Sequence, residues 1–473
     1  MYLLYSLAAT LALLLAAPWW LLRMLRYNKY RAGLRERLGF VPARLWNRDA
    51  ASYVSTSERG SIWIHAVSVG EVLAVGQLIH DLRAANPGTR IFLSTTTAAG
   101  QKLARQRHGE ENVFYFPLDL AFAIRPYFKR LRPGLVVLAE TEFWPNFLRL
   151  AKKSGAKVAV VNARISDRSY PGYRRWRGVL RSILQNLDLF LAQSEEDARR
   201  LVEIGAASER IKVSGNLKFD VQPPPSVPLQ QELKARLQQA EAFPILVCGS
   251  TVEGEELPLL GMFQGVLRKY PKAVMILAPR HPERFDGVAQ LASTFGVPPG
   301  TYPHLPGLTR LNFWRRSQLD PQAALCGGVL LLDSIGELAA LYSLATIAFV
   351  GGSLVPRGGH NILEPAHFSV PILVGPHVEN FRDIIAIFHA ANAVKTVRGF
   401  RAGDMKADLS EVVMQLLEDA AERQALGGRA AEVMKHHTGA TTRTAKALQE
   451  LIAQGSGANP AAANPEATER SIP

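Results

Sequence analysis

The sequence predicts an α/β protein built from two doubly wound, parallel-sheet domains in tandem. Its 473 residues exceed what one typical core accommodates. Short apolar runs alternate with amphipathic stretches in both halves, the pattern of parallel strands covered by helices on both faces. Between the halves, "FDVQPPPSVPLQ" breaks the alternation with a proline cluster that favours extended chain and marks a linker.

In the first half the strand candidates are "SIWIHAV", "RIFLST", "NVFYFP", "GLVVLAE", "KVAVVNA", "LFLAQS" and "IKVSGN". Beyond the linker the alternation resumes with "PILVCGST", "AVMILAPR", "GVLLLDS", "TIAFVGGS" and "PILVG". Ligands of such sheets bind at the C-terminal ends of the strands, so two of them facing each other would hold a substrate cleft. The expected divisions are an anchor at 1–22, a first domain at 23–220, a linker at 221–230, a second domain at 231–453 and a disordered tail at 454–473. That tail carries almost no large apolar residues.

The N-terminal run "YLLYSLAATLALLLAAPWWLL" has no charged side chain and is long enough to cross about 30 Å of hydrocarbon as a helix. Arg23, Arg26, Lys29, Arg31, Arg35 and Arg37 follow it, which orients the rest of the chain to the cytoplasm by the positive-inside rule. The order of charge and apolar run is the reverse of a cleaved signal peptide. A hairpin in one leaflet, or a helix docked on the protein, is the alternative; either way the chain belongs at the inner face of a membrane.

Charge points the same way. A formal net charge of +14 calls for an anionic partner: membrane lipid, nucleic acid or a phosphorylated substrate. Neither zinc-finger spacing nor an RNP aromatic pattern accompanies it, which argues against nucleic acid. Cys248 and Cys326 lie in or beside apolar runs and read as buried thiols rather than a disulfide.

Candidate chemistry collects at the strand exits. Glu71, in "IHAVSVGEVLAVGQL", lies where a strand gives way to a helix. Ser68-Val69-Gly70-Glu71 fits a capping box, in which the carboxylate satisfies a free N–H at the helix start. The same carboxylate can equally serve as a general base, and Ala66–Gly70 comes within one residue of the G-x-S-x-G nucleophile elbow. Glu140 and Glu142 follow "GLVVLA", Asn162 and Arg164 follow "KVAVV", and Asn216 with Lys218 follows "IKVSG". Several polar exits along one sheet edge read as a site.

The second half offers "VGGSLVPRGGHNILEP". Gly351, Gly352 and Ser353 follow a strand, where free N–H groups could attract phosphate. Asn361 and Glu364 sit towards a short helix, with Pro365 biasing Glu364 to the junction. Arg280 follows "AVMILAP" as a cation suited to a phosphate or carboxylate. Ser334, Ile335, Gly336 and Glu337 form a second capping-box pattern. The chain has no P-loop, HExxH, metal-ligand cysteine cluster or D-x-D, so neither metal nor cofactor is expected.

Seven motifs in order, "WIHAVSVGEV", "LAETEFWPN", "VNARISDRSY", "SGNLKFD", "APRHPERF", "DSIGELAALY" and "FVGGSLVPRGGHNILEP", resemble the Kdo (3-deoxy-D-manno-octulosonic acid) transferases of lipopolysaccharide assembly. The resemblance covers about residues 1–453. It implies a GT-B glycosyltransferase with two Rossmann-like domains. Such an enzyme moves Kdo from CMP-Kdo, with inversion, to the glucosamine disaccharide of a lipid A precursor, a tetraacyl-disaccharide 4'-bisphosphate. It also implies that Glu71 is the base. Donor binding then falls to Arg280, Ser334, Ile335, Gly336, Gly351, Gly352, Ser353, Asn361 and Glu364, with Glu140, Asn216 and Lys218 as acceptor or transition-state support. The expected partners are the donor, the anionic lipid and the inner membrane.

Three rival readings stand beside this one: a serine hydrolase on Ser68, a GT-B enzyme using a UDP-sugar, and a membrane-tethered sugar-nucleotide binder without turnover.

Overall fold

The computed structural model describes residues 2–27, 33–45, 60–221, 227–294, 311–397 and 407–456. The chain divides into two compact units, Met1–Val221 with His437–Pro473, and Gln222–His436.

The first unit holds a parallel sheet of β1 (Ser61–His65), β2 (Ile91–Thr95), β3 (Val113–Tyr115), β4 (Pro133–Ala139), β5 (Lys157–Ala163), β6 (Leu189–Ala192) and β7 (Ile211–Val213). Their spatial order is β3-β2-β1-β4-β5-β6-β7. All seven strands expected from the sequence are present, and the order reverses between β1 and β4. That is the switch point at which doubly wound sheets open a ligand crevice. β1 is fixed there by Trp63, which is fully buried and meets Phe147 edge-to-face with ring centroids 4.9 Å apart. Its indole N–H donates to Ser94 Oγ at 2.8 Å, so the ring is buried with its polar atom satisfied.

The second unit holds β8 (Ile245–Thr251), β9 (Val274–Pro279), β10 (Asn312–Arg315), β11 (Gly328–Leu331), β12 (Ile347–Val350), β13 (Ile372–Val374) and β14 (Lys395–Thr396), again all parallel. Their order is β10-β11-β9-β8-β12-β13-β14, with the switch between β8 and β12. The edge strands β10 and β14 were not expected. β10 is only half-buried and β14 is two residues long, so neither produces the apolar run that marks a central strand. Cys248 is buried, Cys326 is partly so, and both are free thiols.

Two boundaries differ from expectation. The helix Ala440–Ser456 belongs to the first unit, not to a second domain running to 453. Its Ala440, Leu448 and Leu451 share a core with Leu78, Ile79 and Leu82. Asp220 holds its start, accepting from Gly439 N at 2.6 Å and Thr441 N at 2.5 Å. An apolar helical stripe must be buried somewhere, and sequence order does not say where. Pro228 also opens a helix, Pro228–Gln239, inside the expected linker. Residues 222–226 of that linker, and 457–473 of the expected tail, lie outside the described residues.

The N-terminal run is a helix, Tyr2–Tyr27. Among the described residues no helix is long and apolar enough to cross a membrane. The helix makes contacts along one face. Tyr2 Oη donates to Ser182 O at 3.1 Å and accepts from Asn186 Nδ2 at 2.9 Å, and Ser6 Oγ accepts from Asn146 Nδ2 at 3.0 Å. Leu4, Leu7, Leu11 and Leu14, spaced three and four apart, face out with 56–74% of their surface exposed.

Candidate active site

Glu71 follows β1 on the first sheet, at the switch point. Ser68 ends the extended chain and caps the helix Val69–Ala74. Ser68 Oγ accepts from Glu71 N at 3.5 Å and donates to Glu71 Oε1 at 2.9 Å, while Val67 N donates to Oε2 at 2.8 Å. The serine half of the capping box is therefore formed, while the Glu71 carboxylate takes the N–H of Val67, one residue before the cap. Glu71 is also buried, with 8% of its surface exposed. Burial, then the charges of Glu140 and Glu142, raise its pKa to about 7 against the pull of the Val67 and Ser68 bonds. Cap and base are one side chain. Its proton affinity suits base catalysis near neutral pH.

Glu140 follows β4 across the switch point and holds a left-handed φ of 57°, a strained conformation for a residue with a Cβ. Lys218 Nζ pairs with its Oε1 at 3.1 Å. Asn216 has a structural part. Its Oδ1 accepts from Lys218 N at 3.0 Å, and its Nδ2 donates to Gln193 Oε1 at 2.9 Å. Asn162, also left-handed with φ 54°, accepts from Leu217 N at 3.0 Å. These bonds tie the exits of β5, β6 and β7 together and aim Lys218 at Glu140. Ser68 gives its hydroxyl to Glu71 rather than to a histidine, so the serine-hydrolase reading loses its base.

In the second unit, Gly351, Gly352 and Ser353 follow β12 at that sheet's switch point. Their N–H groups are not free for phosphate, which corrects the sequence reading. Gly351 N donates to Gly249 O at 2.8 Å; Gly352 N and Ser353 N donate to Glu255 at 2.7 and 2.9 Å. Glu255, fully buried, also accepts from Val252 N at 2.9 Å and Leu354 N at 2.8 Å. An internal carboxylate thus fills the nest that a ligand anion would otherwise take. Ser353 Oγ is likewise used, donating to Val350 O at 2.5 Å and accepting from Gly375 N at 2.8 Å. Glu255 stands in "CGSTVEGEE", just after β8, but a loop that reaches another strand exit leaves no periodic signal.

Other candidates remain available to a ligand. Arg280 follows β9, and its backbone N bonds Thr251 O at 2.8 Å while the exposed guanidinium makes no hydrogen bond or ion pair among the described residues. Glu364 lies within its electrostatic reach, with its pKa raised by burial and drawn back by Asn361 and Arg280. Asn361 Nδ2 donates to Glu364 Oε1 at 3.3 Å, and its Oδ1 accepts from Leu363 N at 3.2 Å. Glu364 is inside the short helix Leu363–Ala366 rather than before it. The Ser334–Glu337 capping box does not form: Ser334 Oγ bonds the Glu337 carboxylate, but the helix starts only at Leu338 and has no side-chain cap. Glu337 instead pairs with Arg316 at 3.3 Å. Gly336 has φ 94°, and Ile335 is 68% exposed.

The family model for 3-deoxy-D-manno-octulosonic-acid transferase (kdotransferase) matches residues 32–221. The chain is 34% identical to the 3-deoxy-D-manno-octulosonic acid transferase of Bordetella pertussis, over 94% of this chain and 98% of that one. It is 32% identical to the transferase of Haemophilus influenzae, over 90% and 92%. The chain belongs to the Kdo transferase family. It is an enzyme, a glycosyltransferase. Among solved structures, UDP-GlcNAc 2-epimerase from Neisseria meningitidis superposes with a TM-score of 0.51 at 14% identity, covering 83% of this chain and 100% of that one. That likeness shows the two-domain GT-B-like fold. The C-terminal CMP-Kdo binding domain of WaaA from Acinetobacter baumannii is 32% identical, covering 44% of this chain and 97% of that one, with a TM-score of 0.36.

Proposed function

We propose that this Kdo transferase moves Kdo from CMP-Kdo to a glucosamine hydroxyl of a lipid A precursor, with inversion at the anomeric carbon. The observation that carries the reading is Glu71: a buried carboxyl at the sheet's switch point, with a pKa of about 7. Direct displacement needs a base on the acceptor hydroxyl. Glu71 takes that proton as the hydroxyl oxygen bonds to the anomeric carbon. The bond from that carbon to the CMP phosphate oxygen breaks on the opposite face, and CMP leaves with the electron pair. Arg280, a cation without a hydrogen-bond or ion-pair partner among the described residues, offsets negative charge on the donor. Lys218, held by Asn216 beside Glu140, supports the anionic acceptor.

The enzyme works at the inner membrane, held by its N-terminal helix. The outward leucines of Tyr2–Tyr27 enter the lipid, and the chain's net charge of +14 suits anionic headgroups. CMP release measured with CMP-Kdo and a lipid A precursor tests the assignment, with EDTA as one arm and competition by CMP and UDP as another. Turnover that survives EDTA and is inhibited by CMP is expected. Competition by UDP alone would replace the donor, and binding without turnover would leave a sugar-nucleotide binder.

A further inference from the structure

The His360 imidazole lies against the backbone of Gly352. A Cβ added at 352 would come within 2.8 Å of His360 Nε2 and 2.9 Å of Cδ2. Gly352 also has φ 69°, so two independent constraints reserve the position for glycine. Nε2 is buried and without a hydrogen-bond partner, although the residue as a whole is only partly buried. An orphaned lone pair costs less than an orphaned N–H. The proton therefore belongs on Nδ1, the nitrogen left to meet a ligand. Burial first, then the charges of Arg280 and His281, push the ring's pKa down to about 4, so it is neutral at pH 7.

The surroundings say what that N–H can meet. The backbone donors of Gly351, Gly352, Ser353 and Leu354 are all taken by Gly249 O or Glu255. Among the described residues, the Arg280 guanidinium and the His360 Nδ1–H make no hydrogen bond or ion pair. Both complement negative charge. We infer that His360 is a donor-binding residue whose Nδ1–H gives a hydrogen bond to the anionic group of the sugar nucleotide that faces Arg280. The paired glycines then act as the seat of this ring rather than as a phosphate cradle. This rests on the donor assigned above.

The two ring nitrogens can be told apart by substitution. His360→Asn places an amide N–H at the Nδ1 position, His360→Gln reaches the Nε2 position, and His360→Ala keeps neither. CMP-Kdo kinetics, calorimetric titration with CMP and thermal unfolding are measured on each full chain. Loss of one hydrogen bond to a charged group is expected to raise KM for CMP-Kdo about tenfold in the Ala and Gln variants, with Tm and kcat little changed. The Asn variant stays near wild type. CMP affinity falling in parallel identifies the phosphate as the anion met; unchanged CMP affinity identifies the Kdo carboxylate. The inference is overturned if all three variants keep the wild-type KM, or if a folded Asn variant is as weak as Ala. Should wild-type protein neither bind CMP nor turn over CMP-Kdo, the donor assignment falls and takes this with it.

Discussion

Ser68 and Glu71 hold each other through both ends of the same three-residue turn. The Ser68 hydroxyl donates to Glu71 Oε1 at 2.9 Å while its oxygen accepts from Glu71 N at 3.5 Å. The bond to Oε1 favours the ionised carboxylate, against the burial that opposes it. Ser68→Ala removes that bond and the cap together. Its expected effect is a loss of about 1 kcal/mol in stability and a shift of the acid limb of kcat/KM to higher pH. An unmoved limb in a folded variant would show that Ser68 does not tune the base.

A carboxyl with a pKa of about 7 gives activity a clear sign with pH. The base must be ionised, so kcat/KM rises through pH 7. Stability runs the other way. Unfolded, Glu71 loses its proton near 4.5; folded, it keeps it to about 7. Between those values the native state binds the extra proton, so its stability falls as pH rises. Glu71→Gln removes this dependence. Relative to wild type it should gain stability from pH 5 to pH 8, by about 3 kcal/mol at most, as urea unfolding at the two pH values would show.

Among the described residues, the Arg280 side chain makes no hydrogen bond or ion pair. Arg280→Ala should leave Tm unchanged and raise KM for the donor roughly tenfold to a hundredfold, the worth of a charge-assisted hydrogen bond. A large fall in Tm with KM intact would make it structural instead.

Glu255 is the opposite case. It accepts four backbone N–H groups and is fully buried. Glu255→Ala strands those donors, so a loss of about 3 kcal/mol or more is expected by denaturant unfolding. The loop that seats His360 should loosen with it.

The docked face and the leucine face of Tyr2–Tyr27 are separable. Replacing Leu7 and Leu11 by Glu should abolish sedimentation with anionic vesicles while leaving turnover of a detergent-dispersed acceptor largely intact. Sedimentation at the wild-type level would remove the helix from the membrane contact.

Much of this was legible in the sequence because central parallel strands are apolar on both faces. "SIWIHAV" and "GLVVLAE" announce β1 and β4, and the polar residues after them, Glu71 and Glu140, land on either side of the switch point. What escaped was long-range. The stripe of Ala440, Leu448 and Leu451 shows that a helix needs a partner but not that Leu78 and Ile79 are the partner. "SIGE" has the residues of a cap, yet Glu337 pairs with Arg316 and the helix begins after it. Glycines 351 and 352 were expected to let the backbone approach a ligand. What approaches is the fold's own Glu255 and His360, and sequence spacing carries no trace of either contact.

The double part of Glu71, as cap and as base, is tested most directly by CMP release from Glu71→Gln. Glutamine can still accept from Val67 N and leave Ser68 capping the helix, but it cannot take a proton. Folded protein with wild-type CMP affinity and a kcat lowered by about 10²–10⁴ is the expected result. A folded Glu71→Gln enzyme that retains wild-type turnover would contradict it, leaving Glu71 a helix cap and moving the base elsewhere along the same strand exits.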